Sequence, residues 1–269
     1  MDGAGLLRLL AAIVAFTCFG TCHAAPDIKL ATTTSTENSG LLTFLLPRFE
    51  AKYGGKVRVI AVGTGAALKI GEKGDADVLL VHARALEDKF MAAGFGSVRR
   101  DVMYNDFIIV GPKSDPAGVR GMRDVIAAMK KIAASGAKFI SRGDESGTHQ
   151  MEKDYWKEAG VTAQGAWYLS AGQGMGQVLT MTNELTGYTL TDRATYAAYR
   201  SKTALDTLVE GDPKMFNPYG VIAVNPQRHS GLNAQGATAF VNWIVSPEGQ
   251  KAIAEFKVNG VQMFFPTAK

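Results

Sequence analysis

Hydrophobic and polar positions follow two periods along this chain, and segments with one period alternate with segments with the other. Short apolar or alternating runs predict β-strands at 27–31, 56–62 and 76–81. Between and after them, apolar residues recur at helical spacing over 38–53, 66–70 and 84–93. A strand–helix–strand order of this kind is typical of an α/β fold whose sheet is mostly parallel and carries helices on its faces.

The same order recurs in the second half of the chain. A strongly apolar strand is predicted at 103–110, followed by turn-forming residues and a helix at 122–135. A strand at 137–141, a polar loop and a helix at 150–159 come next. We expect the chain to cross to a second unit near 111–113 and to return along a strand at 219–224. Two terminal helices are predicted at 234–245 and 246–256.

Five consecutive hydroxyl residues, Thr32 to Thr36, stand where the first strand gives way to a helix. Free backbone N–H groups, side-chain hydroxyls and the positive end of a helix would meet there, as in a small-anion site. The simpler interpretation is an ordinary N-cap, since Ser and Thr are preferred caps. A cap needs only one such residue, which favours the anion site. Thr64, between Gly63 and Gly65, holds the equivalent position after the second strand.

A second polar loop, Arg142 to Thr148, repeats this arrangement of strand, hydroxyl-and-glycine loop and helix. Arginine offers a fixed fork of donors to an oxyanion, and Ser146 and Thr148 add hydroxyls. The alternative is a surface loop in which Arg142 pairs with Asp144 or Glu145. Since carboxylates facing an anion are unfavourable, we expect these two to orient Arg142 from behind or to cap the next helix.

The N-terminus has the pattern of a secretory signal. Arg8 precedes an apolar run at 9–19, and small residues precede a cleavage position after Ala24. Both cysteines of the chain, Cys18 and Cys22, fall inside this segment, so the mature protein would have no disulfide or cysteine metal site. Lipidation at Cys22 is the other interpretation. The formal net charge of +4 is mild, and no basic run indicates nucleic-acid binding.

An exported hydrolase is the alternative from a different class. Ser146 and His149 are close in sequence, but a nucleophile elbow requires G-x-S-x-G, and this serine stands one place late. His82 follows an apolar strand and is interpreted as a hydrogen-bonded structural residue. No H-E-x-x-H motif or carboxylate cluster indicates a metal ion, and we expect no cofactor and no catalysis.

Several motifs together resemble those of the tungstate-binding proteins of bacterial ABC importers, within the type II periplasmic binding proteins. The resemblance extends from Leu30 to about Phe256. Its specific segments are Thr32–Ser35, Val62–Gly65, Asp77–His82, Met103–Phe107, Ser114–Pro116, Ser141–His149 and Leu190–Arg193.

This resemblance implies an α/β protein of two lobes joined by two crossing strands that act as a hinge. The lobes would comprise residues 25–111 with 220–269, and residues 112–219, after a signal peptide at 1–24. The oxyanion would be held between the lobes by its oxygens, not as a bare metal cation. The residues implied to hold it are Thr33, Thr34, Ser35, Thr64, Arg142, Ser146, Gly147 and Thr148.

The function implied is capture of tungstate in the periplasm, with molybdate second, and delivery to a membrane permease by a monomeric protein. A binder of phosphate or sulfate is the alternative within the same class. Selectivity is expected from cavity size and from the lack of an acceptor for a protonated oxygen.

Overall fold

The computed structural model describes residues 25–268. The predicted signal peptide, with Cys18 and Cys22, lies outside the described residues. Within residues 25–268, no helix is long and apolar enough to cross a membrane.

Strands and helices alternate through most of the described chain. The strands are β1 (Ile28–Thr33), β2 (Val57–Val62), β3 (Val78–Val81), β4 (Gly96–Gly111), β5 (Phe139–Ser141), β6 (Tyr168–Ser170), β7 (Thr189–Asp192), β8 (Asp206–Val209), β9 (Phe216–Val224), β10 (Lys257–Val258), β11 (Val261–Gln262) and β12 (Phe265–Pro266). The helices are α1 (Thr34–Asn38), α2 (Leu41–Tyr53), α3 (Thr64–Glu72), α4 (Arg84–Ala92), α5 (Val125–Ser135), α6 (Gly147–Ala159), α7 (Met175–Glu184), α8 (Arg193–Tyr199), α9 (Ala234–Ile244) and α10 (Pro247–Glu255).

The larger group of strands has the order β2-β1-β3-β9-β4-β12. Strand β1 is parallel to β2 and β3, and β9 is antiparallel to β3 and β4. Strand β4 therefore runs in the same direction as β1–β3, with β9 as the reversed strand between them. The carboxyl ends of β1, β2 and β3 lie at one edge, and each leads directly into a helix there.

A second group of strands forms around the last residues of β4. From Phe107 to Gly111, β4 pairs antiparallel with β7 and β8. Strand β5 is parallel to β6, and a parallel bridge joins Phe139 to Tyr188, just before β7. In this group β4 runs opposite to its neighbours β7 and β8. These pairings, together with the helices between the strands, confirm the predicted α/β fold. The sheets are mixed and not mostly parallel, because β9 and β4 pair antiparallel with their neighbours.

The buried apolar side chains form separate clusters that follow the two groups of strands. Two clusters draw on β1–β3, on β4 up to Met103 and on the chain after Tyr219, with Ala194 added. Two others draw on residues 107–215. Strand β4 exchanges its partner β9 for β7 between Asp106 and Phe107, somewhat earlier than the predicted crossing at 111–113. The division into two lobes with these boundaries is a prediction that such clustering favours.

Several predicted boundaries were wrong for identifiable reasons. The helix expected at 38–53 is two helices, because Gly40 adopts a left-handed conformation with φ 81° and breaks it. Helices α1 and α6 begin inside the polar loops, at Thr34 and Gly147. Strand β4 begins at Gly96, seven residues before the predicted start. The early part of β4 carries charged residues, among them Arg99, which pairs with the buried Glu87 at 2.7 Å. These charges interrupt the apolar pattern from which the strand was predicted.

Candidate functional site

Three strand–helix junctions meet at one place: β1–α1 and β2–α3 near the start of the described chain, and β5–α6, which is far from them in the sequence. From the β5–α6 junction, Arg142 Nη2 donates to Thr34 Oγ1 at the start of α1, at 2.8 Å. Gly147 N donates to Thr64 Oγ1 at the start of α3, at 3.2 Å. The backbone of Gly65 also donates to a carbonyl of the β5–α6 loop, at 3.3 Å. The structure thus brings together the junctions that carry all eight predicted site residues.

The side chain of Arg142 is almost completely buried, with 1% of its surface exposed. Asp144 Oδ2 lies 2.5 Å from its Nη2, as expected for a carboxylate that orients the guanidinium. Nε and Nη1 have no hydrogen-bond partner. Burial lowers the pKa of Arg142 and Asp144 opposes this, but an arginine remains charged at physiological pH. The site therefore contains a fixed cation with two unused donor nitrogens.

The rest of the β5–α6 loop is arranged as the start of a helix. Ser146 is the N-cap of α6, and its Oγ accepts the N–H of His149 at 3.1 Å. Asp144 Oδ1 accepts the N–H of Ser146 at 3.2 Å. The hydroxyl of Thr148 is buried and has no partner. Free donors and the positive end of a 13-residue helix accordingly lie on the same side as Arg142.

The β1–α1 junction is a compact group of buried hydroxyls. Thr33 is the N-cap of α1 and accepts the N–H of Thr36 at 3.2 Å. Its Oγ1 lies 3.0 Å from Ser35 Oγ, and both oxygens lie 3.1 Å from His82 Nε2. Thr34, the middle residue, is the one that meets Arg142.

His82, which the sequence interpretation treated as structural only, contacts two of the predicted site residues. It is buried and hydrogen-bonded, as expected, and its Nδ1 lies 2.9 Å from Asn217 Oδ1. Burial lowers the pKa of His82 to about 4, so the ring is neutral at physiological pH. Because Asn217 Oδ1 can only accept, Nδ1 carries the proton and Nε2 accepts a hydroxyl from Thr33 or Ser35. The sequence feature that could have indicated this contact is the position of His82 directly after β3, at the same sheet edge as Thr33.

Glycines permit the close approach of the two junctions. A Cβ added to Gly63 would lie 2.7 Å from the carbonyl oxygen of Asp144, and one added to Gly147 would lie 2.7 Å from that of His82. Near the start of α7, a Cβ on Gly174 would lie 3.3 Å from Thr34 Oγ1. Any side chain at Gly63 or Gly147 would therefore force the junctions apart.

The contacts of Ser146 and His149 do not form a nucleophile–base pair. Ser146 Oγ accepts the backbone N–H of His149, and the imidazole Nδ1 of His149 accepts the N–H of Glu145 at 3.0 Å. Within residues 25–268, no group of three or more His, Cys, Asp or Glu residues could hold a metal ion.

Behind Arg142, a buried carboxyl ties β5 to α6. Glu152 Oε2 accepts the hydroxyl of Ser141 at 2.7 Å, and Oε1 accepts from Trp156 at 3.0 Å and Tyr168 at 2.8 Å. Burial outweighs these three hydrogen bonds and raises the pKa of Glu152 to about 7. Glu152 supports the strand that ends at Arg142.

This raised pKa predicts a pH-dependent stability. Stabilisation by the neutral carboxyl is present at low pH and is lost as pH rises through about 7. We expect Glu152→Gln to unfold like the wild type at pH 5 but to be more stable at pH 8 by about 1–2 kcal/mol, because its Oε1 would still accept from Trp156 and Tyr168 while its Nε2 would donate to Ser141 Oγ. Urea unfolding at both pH values measures this. Glu158→Gln, an exposed change on the same helix, is the control; equal stability curves for wild type and Glu152→Gln would contradict the prediction.

Comparisons with known proteins identify the family of this chain. The chain matches the PBP superfamily domain over residues 21–248. It is 50% identical over 250 residues to the tungstate-binding protein TupA of Peptoclostridium acidaminophilum, covering 91% of this chain and 87% of that protein. It is 42% identical over 240 residues to TupA of Campylobacter jejuni, covering 87% and 89%.

Two solved structures share the fold. The tungstate ABC transporter structure from Geobacter sulfurreducens has a TM-score of 0.79 at 55% identity and covers 86% of this chain and 98% of that chain. TupA from Desulfovibrio alaskensis G20 has a TM-score of 0.76 at 50% identity and covers 91% and 100%. The resemblance inferred from the motifs is confirmed: this chain belongs to the PBP superfamily and, within it, to the family of TupA tungstate-binding proteins.

Proposed function

We propose that this protein captures tungstate between its β5–α6 junction and its β1–α1 and β2–α3 junctions and delivers it to the permease of an ABC importer, with molybdate as the second ligand. The observation that carries the proposal is the buried guanidinium of Arg142, which has two nitrogen atoms without a hydrogen-bond partner. Thr148 Oγ1, six residues later, is also buried and without a partner. Unused donors beside a fixed positive charge fit an oxyanion that only accepts.

Tungstate at neutral pH is a tetrahedral dianion whose four oxygens accept hydrogen bonds and donate none. A matching site therefore consists of donors, and each charge-assisted hydrogen bond contributes about 1.5–3 kcal/mol. Thr34, Thr64 and Ser146 each accept an N–H group through their hydroxyl oxygen, which leaves their own O–H free to donate. Gly147, whose N–H donates to Thr64 in this structure, would share that donor with the oxyanion at the start of α6.

Of Thr33 and Ser35, one hydroxyl would donate to His82 and the other to the oxyanion. The lone pair of a neutral His82 Nε2 accepts one hydroxyl proton from this pair. The other hydroxyl would donate to the oxyanion, with Thr36 as the donor in its 2.7 Å contact with Thr33 Oγ1. The proposed ligand-binding set is thus Thr33, Thr34, Ser35, Thr64, Arg142, Ser146, Gly147 and Thr148.

Release and capture would follow from a hinge between two lobes, residues 25–111 with 220–269 and residues 112–219. In this proposal the Thr33–Ser35 segment binds the oxyanion first and Arg142 with Thr148 closes over it. The closed protein, a monomer in the periplasm, then docks on the permease. The transporter names of its relatives support this role in import rather than in catalysis. A signal peptide at 1–24 would direct export.

Calorimetric titration of the mature protein with tungstate, molybdate, sulfate and phosphate tests the function. We expect tight binding of tungstate, somewhat weaker binding of molybdate and far weaker binding of the two smaller oxyanions, because the spacing of the donors would suit the larger one. Sulfate binding as tight as tungstate binding would overturn the selectivity. No binding of any of the four would overturn the function.

A further inference from the structure

A chain of four buried polar side chains runs behind the hydroxyl group of the β1–α1 junction. His82 Nδ1 donates to Asn217 Oδ1 at 2.9 Å, and Asn217 Nδ2 donates to Asn105 Oδ1 at 2.7 Å. Asn105 Nδ2 then donates to Asp192 Oδ1 at 3.4 Å. All four side chains are at most 4% exposed. The chain links the ends of β3 and β7 through β9 and β4, and it ends at a carboxyl.

The two oxygens of Asp192 have different surroundings. Oδ1 receives the N–H of Thr195 at 2.8 Å, where Asp192 caps α8, as well as the amide of Asn105. It is an acceptor whatever the ionisation of the carboxyl. Oδ2 is buried and has no partner. A proton on this carboxyl would therefore be held on Oδ2, with every existing hydrogen bond kept.

Charge makes such a proton favourable once an oxyanion is present. The charged groups to consider are Arg142, which is buried, its partner Asp144, which is partly exposed, and the ionised form of Asp192, since His82 is neutral. Arg142 and Asp192 are near enough for each to shift the pKa of the other. With Asp192 ionised, a dianion beside Arg142 would bring four negative charges against one positive, and the buried position of Asp192 makes its repulsion from the dianion strong.

We propose that Asp192 adapts the charge of the site to a dianion: its carboxyl binds a proton at Oδ2 when the oxyanion enters, so the dianion is captured together with a proton. This inference rests on the proposed function and adds a residue to it. Asp192 acts as a specificity-determining residue, because the proton it binds offsets one charge of a dianion. A tetrahedral monoanion of similar size needs no such compensation.

Other titratable groups around Asp192 are less suited to this role. Arg193, the next residue, is paired with Asp106 and Glu210 at 2.6 and 2.7 Å. Burial raises the pKa of Tyr219 well above its usual value, so it stays neutral. Burial also raises the pKa of Asp192 itself, in the direction that favours proton binding.

His82 is the competing acceptor, because its Nε2 contacts Thr33 and Ser35. Burial and Arg142 lower the pKa of His82, and the hydrogen bond to Asn217 and the charge of Asp144 only partly oppose them. In Asp192 the proton removes a charge from the buried region, whereas in His82 it adds one. The experiment has to distinguish these two residues.

Proton uptake is measured by titrating the wild-type protein with tungstate in buffers of different ionisation enthalpy, at several pH values from about 5.5 to 8.5. The slope of observed heat against buffer enthalpy gives the protons taken up. We expect it to approach one proton per oxyanion within this range, with affinity rising up to about tenfold per unit of falling pH. With perrhenate, a tetrahedral oxyanion of single charge, we expect a slope near zero.

The variant Asp192→Asn has the same shape and keeps the cap of α8. We expect it to bind tungstate with a slope near zero and an affinity independent of pH. Asp192→Ser, which retains a capping hydroxyl, serves if the first variant does not fold. Uptake unchanged in these variants would assign the proton to His82 or to the ligand and overturn the proposal, as would wild-type binding without uptake. Absence of any oxyanion binding would instead overturn the proposed function.

Discussion

Replacing Arg142 by alanine is expected to weaken tungstate binding by about a hundredfold or more. The change removes two donor nitrogens that have no partner within the protein, and with them the positive charge at the junction. Two charge-assisted hydrogen bonds at about 1.5–3 kcal/mol each exceed the 2.7 kcal/mol or so that corresponds to a hundredfold change in Kd. Calorimetric titration measures the loss, and unchanged affinity would show that Arg142 is not part of the site.

Two further variants distinguish the effect of the charge of Arg142 from the effect of its donor geometry. Arg142→Lys keeps the charge but loses the planar fork of donors, and we expect an affinity between those of the wild type and Arg142→Ala. Arg123→Ala removes an exposed arginine elsewhere and should leave affinity unchanged. If Arg123→Ala weakened binding as much as Arg142→Ala, the effect would reflect overall charge rather than a defined contact.

Gly147→Ala is expected to weaken tungstate binding by about thirtyfold, because the added methyl group would overlap His82 and displace the start of α6. The new Cβ would lie 2.7 Å from the carbonyl oxygen of His82 and 3.0 Å from its ring. Relief requires the start of α6 to move away from the end of β3, which would separate the donors on the two junctions. Overpacking of this kind costs about 1–3 kcal/mol, and about 2 kcal/mol corresponds to thirtyfold.

The matched control for this variant is Gly231→Ala, because a Cβ on Gly231 would meet no atom within 4 Å. We expect Gly231→Ala to bind like the wild type. Thermal unfolding of ligand-free Gly147→Ala should resemble that of the wild type, since separating the junctions relieves the overlap. Wild-type affinity in Gly147→Ala would mean that the junctions need not approach as closely as they do here.

Local sequence patterns were sufficient for the fold class and for the two junctions. The alternation of strands and helices placed Thr33 and Thr64 at one sheet edge, because parallel strands end on the same side. The strand–loop–helix motif around Arg142 indicated a second polar junction opposite Thr33. Asp144 orients the guanidinium of Arg142, as expected. That these residues bind the ligand stays a prediction from the sequence, which the geometry supports.

Contacts set by register and by long-range packing could not be predicted in this way. Asn105 and Asn217 face each other because β4 and β9 pair in one particular register, with these two residues opposite each other. Asp192 joins them from a different sheet. Each of these residues looks ordinary in its own segment, since an asparagine in a strand or an aspartate before a helix has local explanations. Only the assembled fold shows that they connect to His82.

The most direct test of this account is a crystal structure of the protein grown with tungstate, with tungsten located by its anomalous scattering. The account predicts a single strong peak between the two junctions, with oxyanion oxygens within hydrogen-bond distance of Arg142, of Thr148 and of the Thr33–Ser35 segment. A peak elsewhere on the protein, or tungstate bound without contact to Arg142, would contradict it.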